Sequence, residues 1–248
     1  MAVVPGIAPR RSFRSPTALG RWVRILVGTS AAWSVVNAAL SYGWTRRTRF
    51  VLIMGRGIRP TLPSLLPRPI LAFISLLGLA AELAWLFWQH RVTQNVWAGG
   101  IEMKTSPGWA VGWWFIPVAN LWMPAVALYR VYRASVRRTE RAGVWLIAAW
   151  WTAFVLPIVV GGTAVASMAR PWFRAIQAMS RDPNAAVSVD LTRGMHVLGQ
   201  WAPAIAVTQV VAAALAITIV TRIDEAQEAM GPPIPDRPDI GPGGEPRR

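Results

Sequence analysis

Cysteine is absent from the 248 residues, which excludes a disulfide framework, a thiol nucleophile and a thiolate metal site. Histidine occurs only at His90 and His196, far apart and without neighbouring carboxylates, so no metal site is expected. No Ser/His/Asp set, no paired carboxylates and no phosphate-binding loop can be read; Gly55-x-Gly57 lacks the strand, the helix and the Lys-Ser/Thr that a phosphate cradle needs. The expectation is therefore no catalytic residue, no cofactor and no enzyme. Acidic side chains are also scarce, with 11 against 26 basic ones and a net charge of +15. Only Lys104 among the basic residues is a lysine, a bias that fits a GC-rich genome better than a chemical demand for guanidinium.

What the chain has in abundance is apolar sequence. Hydrophobic residues make up 54% of it and the mean hydropathy is +0.36. They gather into long runs rather than periodic stripes, which is the mark of an all-α polytopic membrane protein. Four runs are long enough to cross the hydrocarbon: about 22–44, 70–88, 144–168 and 197–221. The basic residues mostly flank these runs, where they act as topology signals and headgroup contacts, so nucleic acid is not expected as a partner. Residues 1–21 form a basic N-terminal segment whose Arg10-Arg11-Ser12-Phe13 faintly resembles a twin-arginine export signal. The long, tryptophan-flanked run after it, with further runs beyond, reads instead as an uncleaved first span of a membrane domain covering 22–228.

The segment Pro107–Arg130 is built unlike any ordinary span. Within 107–124 it holds Trp109, Trp113, Trp114 and Trp122, with Pro107, Pro117 and Pro124, Gly108 and Gly112, and one amide, Asn120. Interior prolines each remove a donor and cost a free helix about 3 kcal/mol. Non-helical backbone survives at membrane depth only where protein or a wet cavity satisfies it. An interfacial or re-entrant segment is expected. The Gly108/Gly112 spacing would let another backbone approach, although the prolines limit such a helix. Residues 125–142 then read as a basic amphipathic helix, with Arg130, Arg133, Arg137 and Arg141 in one stripe.

Other stretches punctuate the chain. Thr45–Arg68, with Pro60, Pro63 and Pro67, reads as an extended surface loop. A short helix led by Pro171 and a turn at Asp182-Pro183-Asn184 are predicted before the last run, and Asp224, Glu225 and Glu228 are predicted to carry the last helix into water. Residues 229–248 form a Pro/Gly-rich tail predicted to be disordered.

Basic residues can be counted for two topologies. With four spans they divide 16 against 10; with the Trp-rich segment as a fifth span, 11 against 15. The positive-inside rule barely separates the two. Both place the arginine stripe and the C-terminus in the cytoplasm.

Ser106-Pro107-Gly108-Trp109 through Gly112-Trp113-Trp114-Phe115, followed by Pro117, Asn120-Leu121-Trp122 and Pro124, resembles the signature of a bacterial membrane family, domain of unknown function 4328. Arg91 with Asn95, and Thr221-Arg222-Ile223 with Gln227, add weaker matches, so the resemblance runs from about Trp22 to Glu228. Met123 departs from it, a basic residue being commoner before that last proline. The resemblance implies four spans, an actinobacterial type of source and no established activity. It favours the four-span topology, with both termini cytoplasmic in a multi-pass protein of the inner membrane.

Glu82 is the one acid within an apolar run, where an ionised carboxylate costs at least about 2.5 kcal/mol. It is read either as a proton- or cation-binding site, or as a protonated acid bonded to Asn37, Gln200 or Gln209 on adjacent helices. The Trp-rich motif, with its indole rings and following arginines, is read as a platform for lipids with anionic headgroups, for a protein partner or for self-association. A non-enzymatic membrane scaffold is the leading reading, and a small transporter or channel using Glu82 the alternative.

Overall fold

The computed structural model describes residues 13–53, 68–101, 103–136, 140–181 and 189–231. They form six α-helices: α1 (Thr17–Ile53), α2 (Arg68–Ala98), α3 (Pro107–Gly112), α4 (Met123–Ser135), α5 (Glu140–Arg181) and α6 (Val189–Met230). No strand occurs among the described residues. Within these helices, Thr17–Gly43, Arg141–Thr163 and Gly199–Met230 are long and apolar enough to cross a membrane. That is three stretches where the sequence suggested four. The expected span 70–88 lies in α2, but the side chains of 68–75 are outside the described residues, and from Leu76 onward α2 carries Glu82, Gln89, His90 and Arg91. That remainder is too polar by itself.

The long helices overrun their apolar cores. α5 and α6 have 42 residues each, about 63 Å at 1.5 Å per residue, or twice the roughly 30 Å hydrocarbon thickness. Helix consequently replaces structure expected to be irregular. α1 continues to Ile53, so Thr45–Ile53 is helical rather than loop; the prolines at 60, 63 and 67 lie outside the described residues. α5 runs through Pro171 to Arg181, so Pro171 starts no helix of its own, and the turn at 182–184 and most of the tail, from 232, also lie outside the described residues. The single basic helix expected over 125–142 is two elements: α4 ends at Ser135 and α5 begins at Glu140. Arg130 and Arg133 share α4, Arg141 opens α5, and Arg137 is outside the described residues.

α6 is the central helix, packed on α1 along one side and on α5 along the other. Glycines set its antiparallel register against α1. A Cβ on Gly20 would lie 1.8 Å from Asp224 Oδ2, and one on Gly199 would lie 1.9 Å from Thr45 Oγ1. Any larger residue there would have to displace the Asp224 carboxylate or the Thr45 hydroxyl. The apolar core lies toward one end of the bundle, where Val23, Trp88, Val92, Leu128, Ile219 and Ile223 are all buried.

The Trp-rich segment lies between α2 and α5. After Gly100, whose φ of +75° suits glycine, the Ser106 hydroxyl caps α3 by accepting from the Trp109 amide, and Pro107 takes a first-turn position where no donor is needed. Two 3₁₀ turns follow, Trp113–Phe115 and Ala119–Leu121, and Pro124 opens α4 in the same way as Pro107 opens α3. The inner end is pinned on both sides: Trp114 Nε1 donates to Gln89 Oε1 of α2 at 2.9 Å, and Trp151 Nε1 of α5 donates to the Leu121 carbonyl at 2.9 Å. Gln89 is about 14 Å along α2 from Ala98, and Trp151 about 16 Å along α5 from Glu140. α4 then runs back until Ser135 meets Gln227, near the end of α6, and Tyr132 packs on Gly143, near the start of α5. The segment is thus a hairpin that returns to the end of the bundle it left.

This path fixes an accessibility pattern that the cysteine-free chain can report. Single cysteines at Gly100 and Arg133 should react with a membrane-impermeant maleimide from the same side of sealed vesicles, and cysteines at Phe115 and Val118 from neither. Labelling of Phe115 from the side opposite Gly100 would mean that the segment crosses.

Candidate functional site

The N-terminal end of α1, the C-terminal ends of α2 and α6 and the last turn of α4 converge, and polar side chains are buried there among the apolar core. Asp224, only 2% exposed, accepts from the fully buried Trp88 indole at 2.8 Å through Oδ1 and from Arg24 at 2.9 Å through Oδ2. Gln227 is one turn further along α6 and wholly buried. Its amide nitrogen donates to the Val92 carbonyl at 2.9 Å and to Ser135 Oγ at 3.0 Å, while its oxygen accepts from Asn95 Nδ2 at 2.9 Å. Asn95 also clasps the Arg14 backbone, donating to its carbonyl and accepting from its amide. Ser15 donates to the Glu228 carboxylate. One turn of α6 therefore holds α1, α2 and α4 through side chains whose partners all lie within the protein.

A second layer extends toward the hairpin tip. Thr105 receives Arg130 at its hydroxyl and the Trp97 indole at its carbonyl, and Arg222 donates to the Tyr132 hydroxyl at 3.2 Å. Aromatic rings fill the space between α2 and α5. Trp85 stacks on Trp150 at 5.1 Å, and Trp114 meets Trp151 and Phe154 edge-on at 5.9 and 5.8 Å. Three buried donors, Gln89 Nε2, Trp85 Nε1 and Trp113 Nε1, have no partner among the described residues. Elsewhere in the network acceptors are placed opposite donors, and these side chains clasp α1, α2, α4 and α6 together.

The residues singled out from sequence divide sharply. Glu82, Asn37, Gln200 and Gln209 are all exposed, and no hydrogen bond joins them among the described residues. Helix register separates them as well. Glu82 lies about 9 Å along α2 from Trp88, and Gln209 about 22 Å along α6 from Asp224, the partner of Trp88. The expected bonding of Glu82 to these amides is therefore absent. The motif residues do come together. Pro107 and Pro124 are buried, Gly112 lies against the Trp109 ring, Trp109 stacks on Trp113 at 4.7 Å, and Trp114 reaches Gln89. Asn120 is half-buried, whereas Pro117 and Trp122 are exposed. Gly108 has open space beside it, so the glycine spacing receives no helix. Arg130 is half-buried on Thr105; Arg133 and Arg141 are exposed.

Sequence reasoning missed the clasp itself. Asp224 was expected to point to water and instead is buried; Asn95 and Gln227 entered only as flanking matches. A signal was present: the buried positions Ala216, Val220, Ile223 and Gln227 keep helical spacing past Thr221, so the inward stripe of α6 continues through the acids.

The contrast between the two sets of amides is measurable. Gln227→Leu strands the Ser135 and Val92 groups and removes an acceptor from Asn95, and should cost about 1–3 kcal/mol, read as a lower unfolding midpoint of the detergent-solubilised protein. Gln209→Leu, at an exposed position, should leave that midpoint within about 0.5 kcal/mol of the parent. Equal effects from the two would remove the clasp from its central place.

No curated protein and no solved structure matches the chain. A family model described as Domain of unknown function (DUF4328) matches residues 69–225. The match begins with α2, later than the Trp22 start inferred from motifs, and takes in the hairpin, Asn95 and Asp224 while ending just before Gln227. It covers well over half of the sequence, and the chain belongs to the DUF4328 family.

Proposed function

We propose that this is a four-crossing, multi-pass protein of the inner membrane, with both termini cytoplasmic, that acts without catalysis as a platform for anionic lipid headgroups or a protein partner. The observation that carries the reading is the outer edge of the hairpin. Phe115, Val118 and Leu121 are 71, 68 and 60% exposed, with Trp109 and Trp122 about half exposed beside them. Leaving such side chains in water forfeits about 1.5–3 kcal/mol each, and a contiguous apolar edge of this kind marks a membrane or partner surface. Arg133, exposed at the other end of the hairpin, with half-buried Arg130 on the same helix, fits attraction of about 1 kcal/mol per cation to an anionic leaflet. An apolar tip with basic residues at its base matches the gradient from acyl chains to headgroups. The fourth crossing rests on the apolar start of α2, and the cytoplasmic side on the charge count.

The tip can be tested with lipids brominated on their acyl chains. The fluorescence lost in Trp122→Phe should belong to an indole quenched by brominated lipid, and quenching by brominated phosphatidylglycerol should exceed that by brominated phosphatidylcholine. Arg130→Gln with Arg133→Gln should reduce this preference by roughly fivefold per charge. An unquenched Trp122 component would sink the platform.

The transport alternative lacks comparable support, because sites of that kind face a bundle interior or a wet cavity, and Glu82 lies on an exposed face of α2. Glu82→Gln should therefore leave assembly unchanged, and vesicles holding the parent protein should show no proton flux. A proton leak that vanishes in the variant would restore the transport reading.

A further inference from the structure

Away from the hairpin, an open groove of about 440 Å³ runs between α5 and α6, within the size range of small-ligand sites. Its floor is made of small residues, Ala149, Thr152 and Ala153 of α5, with Val207 and Val211 of α6 as the facing wall and Trp145 at one end. The lining is almost wholly apolar. Trp145 is 74% exposed, so its indole projects from the end of the groove nearest the start of α5.

Helical periodicity places two cations beyond that same end. Arg141 precedes Trp145 by one turn on the groove face of α5. Arg222 follows Val211 by eleven residues, which at 100° per residue returns within about 20° to the same face of α6. The two elements agree in level, since Arg222 bonds Tyr132, and Tyr132 packs on Gly143 near the start of α5. Arg141 is about 12 Å along its helix from Ala149, and Arg222 about 16 Å from Val211, close to half of the roughly 30 Å hydrocarbon thickness. Both guanidinium groups belong to exposed residues. The nearest acid on that face of α6, Glu225, lies a further turn away from the groove.

We propose that this groove seats one acyl chain of an anionic phospholipid whose phosphate is held by Arg141 and Arg222. The apolar floor selects a hydrocarbon chain, the small side chains leave its width, and the paired guanidiniums, suited to phosphate oxygens, select the headgroup charge. Trp145 covers the junction between the two. The site rests on the platform reading only in taking the α5/α6 face to lie against lipid, and it uses neither the hairpin tip nor Arg130 and Arg133.

The test uses the full-length protein in nanodiscs of equal phosphatidylglycerol and phosphatidylcholine with identical chains, released for native mass spectrometry. One retained phosphatidylglycerol per chain is expected. Arg141→Gln with Arg222→Gln should lower its retention roughly 25-fold. Ala149→Leu with Ala153→Leu, which fills the floor, should lower it as well, and Thr152→Leu alone does the same where the double variant fails to fold. Equal retention of both lipids by the parent, or phosphatidylglycerol retention indifferent to the filled floor, would overturn the site. So would a dimer that the leucine variants abolish, which would assign the groove to a second copy. Selectivity lost with Arg130→Gln and Arg133→Gln but kept with Arg141→Gln and Arg222→Gln would discard this site while leaving the hairpin platform standing.

Discussion

The carboxylate of Asp224 is the joint on which the helices are assembled. Removing an ionised carboxylate from water costs several kcal/mol unless good donors replace the lost hydration, and here the donors come from two other helices, Trp88 on α2 and Arg24 on α1. Each donor fixes a distance and a rotation. The missing side chain of Gly20 gives the carboxylate its room, because any Cβ there would collide with it. Once α1, α2 and α6 are set at this level, Gln227 is carried to Val92 and Ser135, and α4 is set too. The joint thus specifies register where apolar packing alone would tolerate sliding.

That specification permits a hairpin that could not stand alone. A helix of six residues followed by two 3₁₀ turns has little cooperative stability of its own. Its polar groups are met by indoles from the flanking helices as well as by its own backbone: Trp97 reaches the Thr105 carbonyl and Trp151 the Leu121 carbonyl, while the hairpin's Trp114 reaches Gln89 in return. Tryptophan suits this role because one ring supplies apolar area, stacking and a single donor. The prolines are placed where their missing donor costs least, at the first turns of α3 and α4. The density of Trp and Pro in the motif is therefore a solution to one problem, irregular backbone held inside a helical bundle.

Much of this was legible in advance, and the reasons for the rest are physical. Long apolar runs announce helices because hydropathy is a property of composition, so the centres of α1, α2, α5 and α6 were readable while their ends were not. α1 extends through Thr45–Ile53 because helix propagates cheaply once nucleated, whereas α5 continues past Pro171 in spite of the donor that proline removes. The broken character of 107–124 was readable from its prolines, but not its return path, which depends on Gln89, Leu121 and Gln227 being reached from elsewhere. The polar site was misplaced for a simple reason. A lone acid within an apolar run looks costly, as Glu82 does, whereas an acid among polar neighbours at a helix end looks solvated, as Asp224 does. Exposure reverses that judgement, since a buried acid is stable when donors from other helices meet it, and sequence does not display donors from other helices.

The joint lies beside a basic outer surface. Asp224 is held by Arg24 and Glu228 by Ser15, so two of the few acids here are engaged in contacts between helices. Arg133, Arg141 and Arg222 face outward. Among the described residues Arg14, Arg21 and Lys104 are exposed at this end as well, against the exposed carboxylates of Glu225 and Glu228, and that excess of positive charge sets the local field. Asp224 takes the charge of Arg24 with it into their ion pair, so the clasp leaves the basic excess of this end unchanged. The clasp and the basic face beside it therefore have separate origins, the first in acceptors that meet donors from other helices and the second in a chain that carries 26 basic residues against 11 acidic ones.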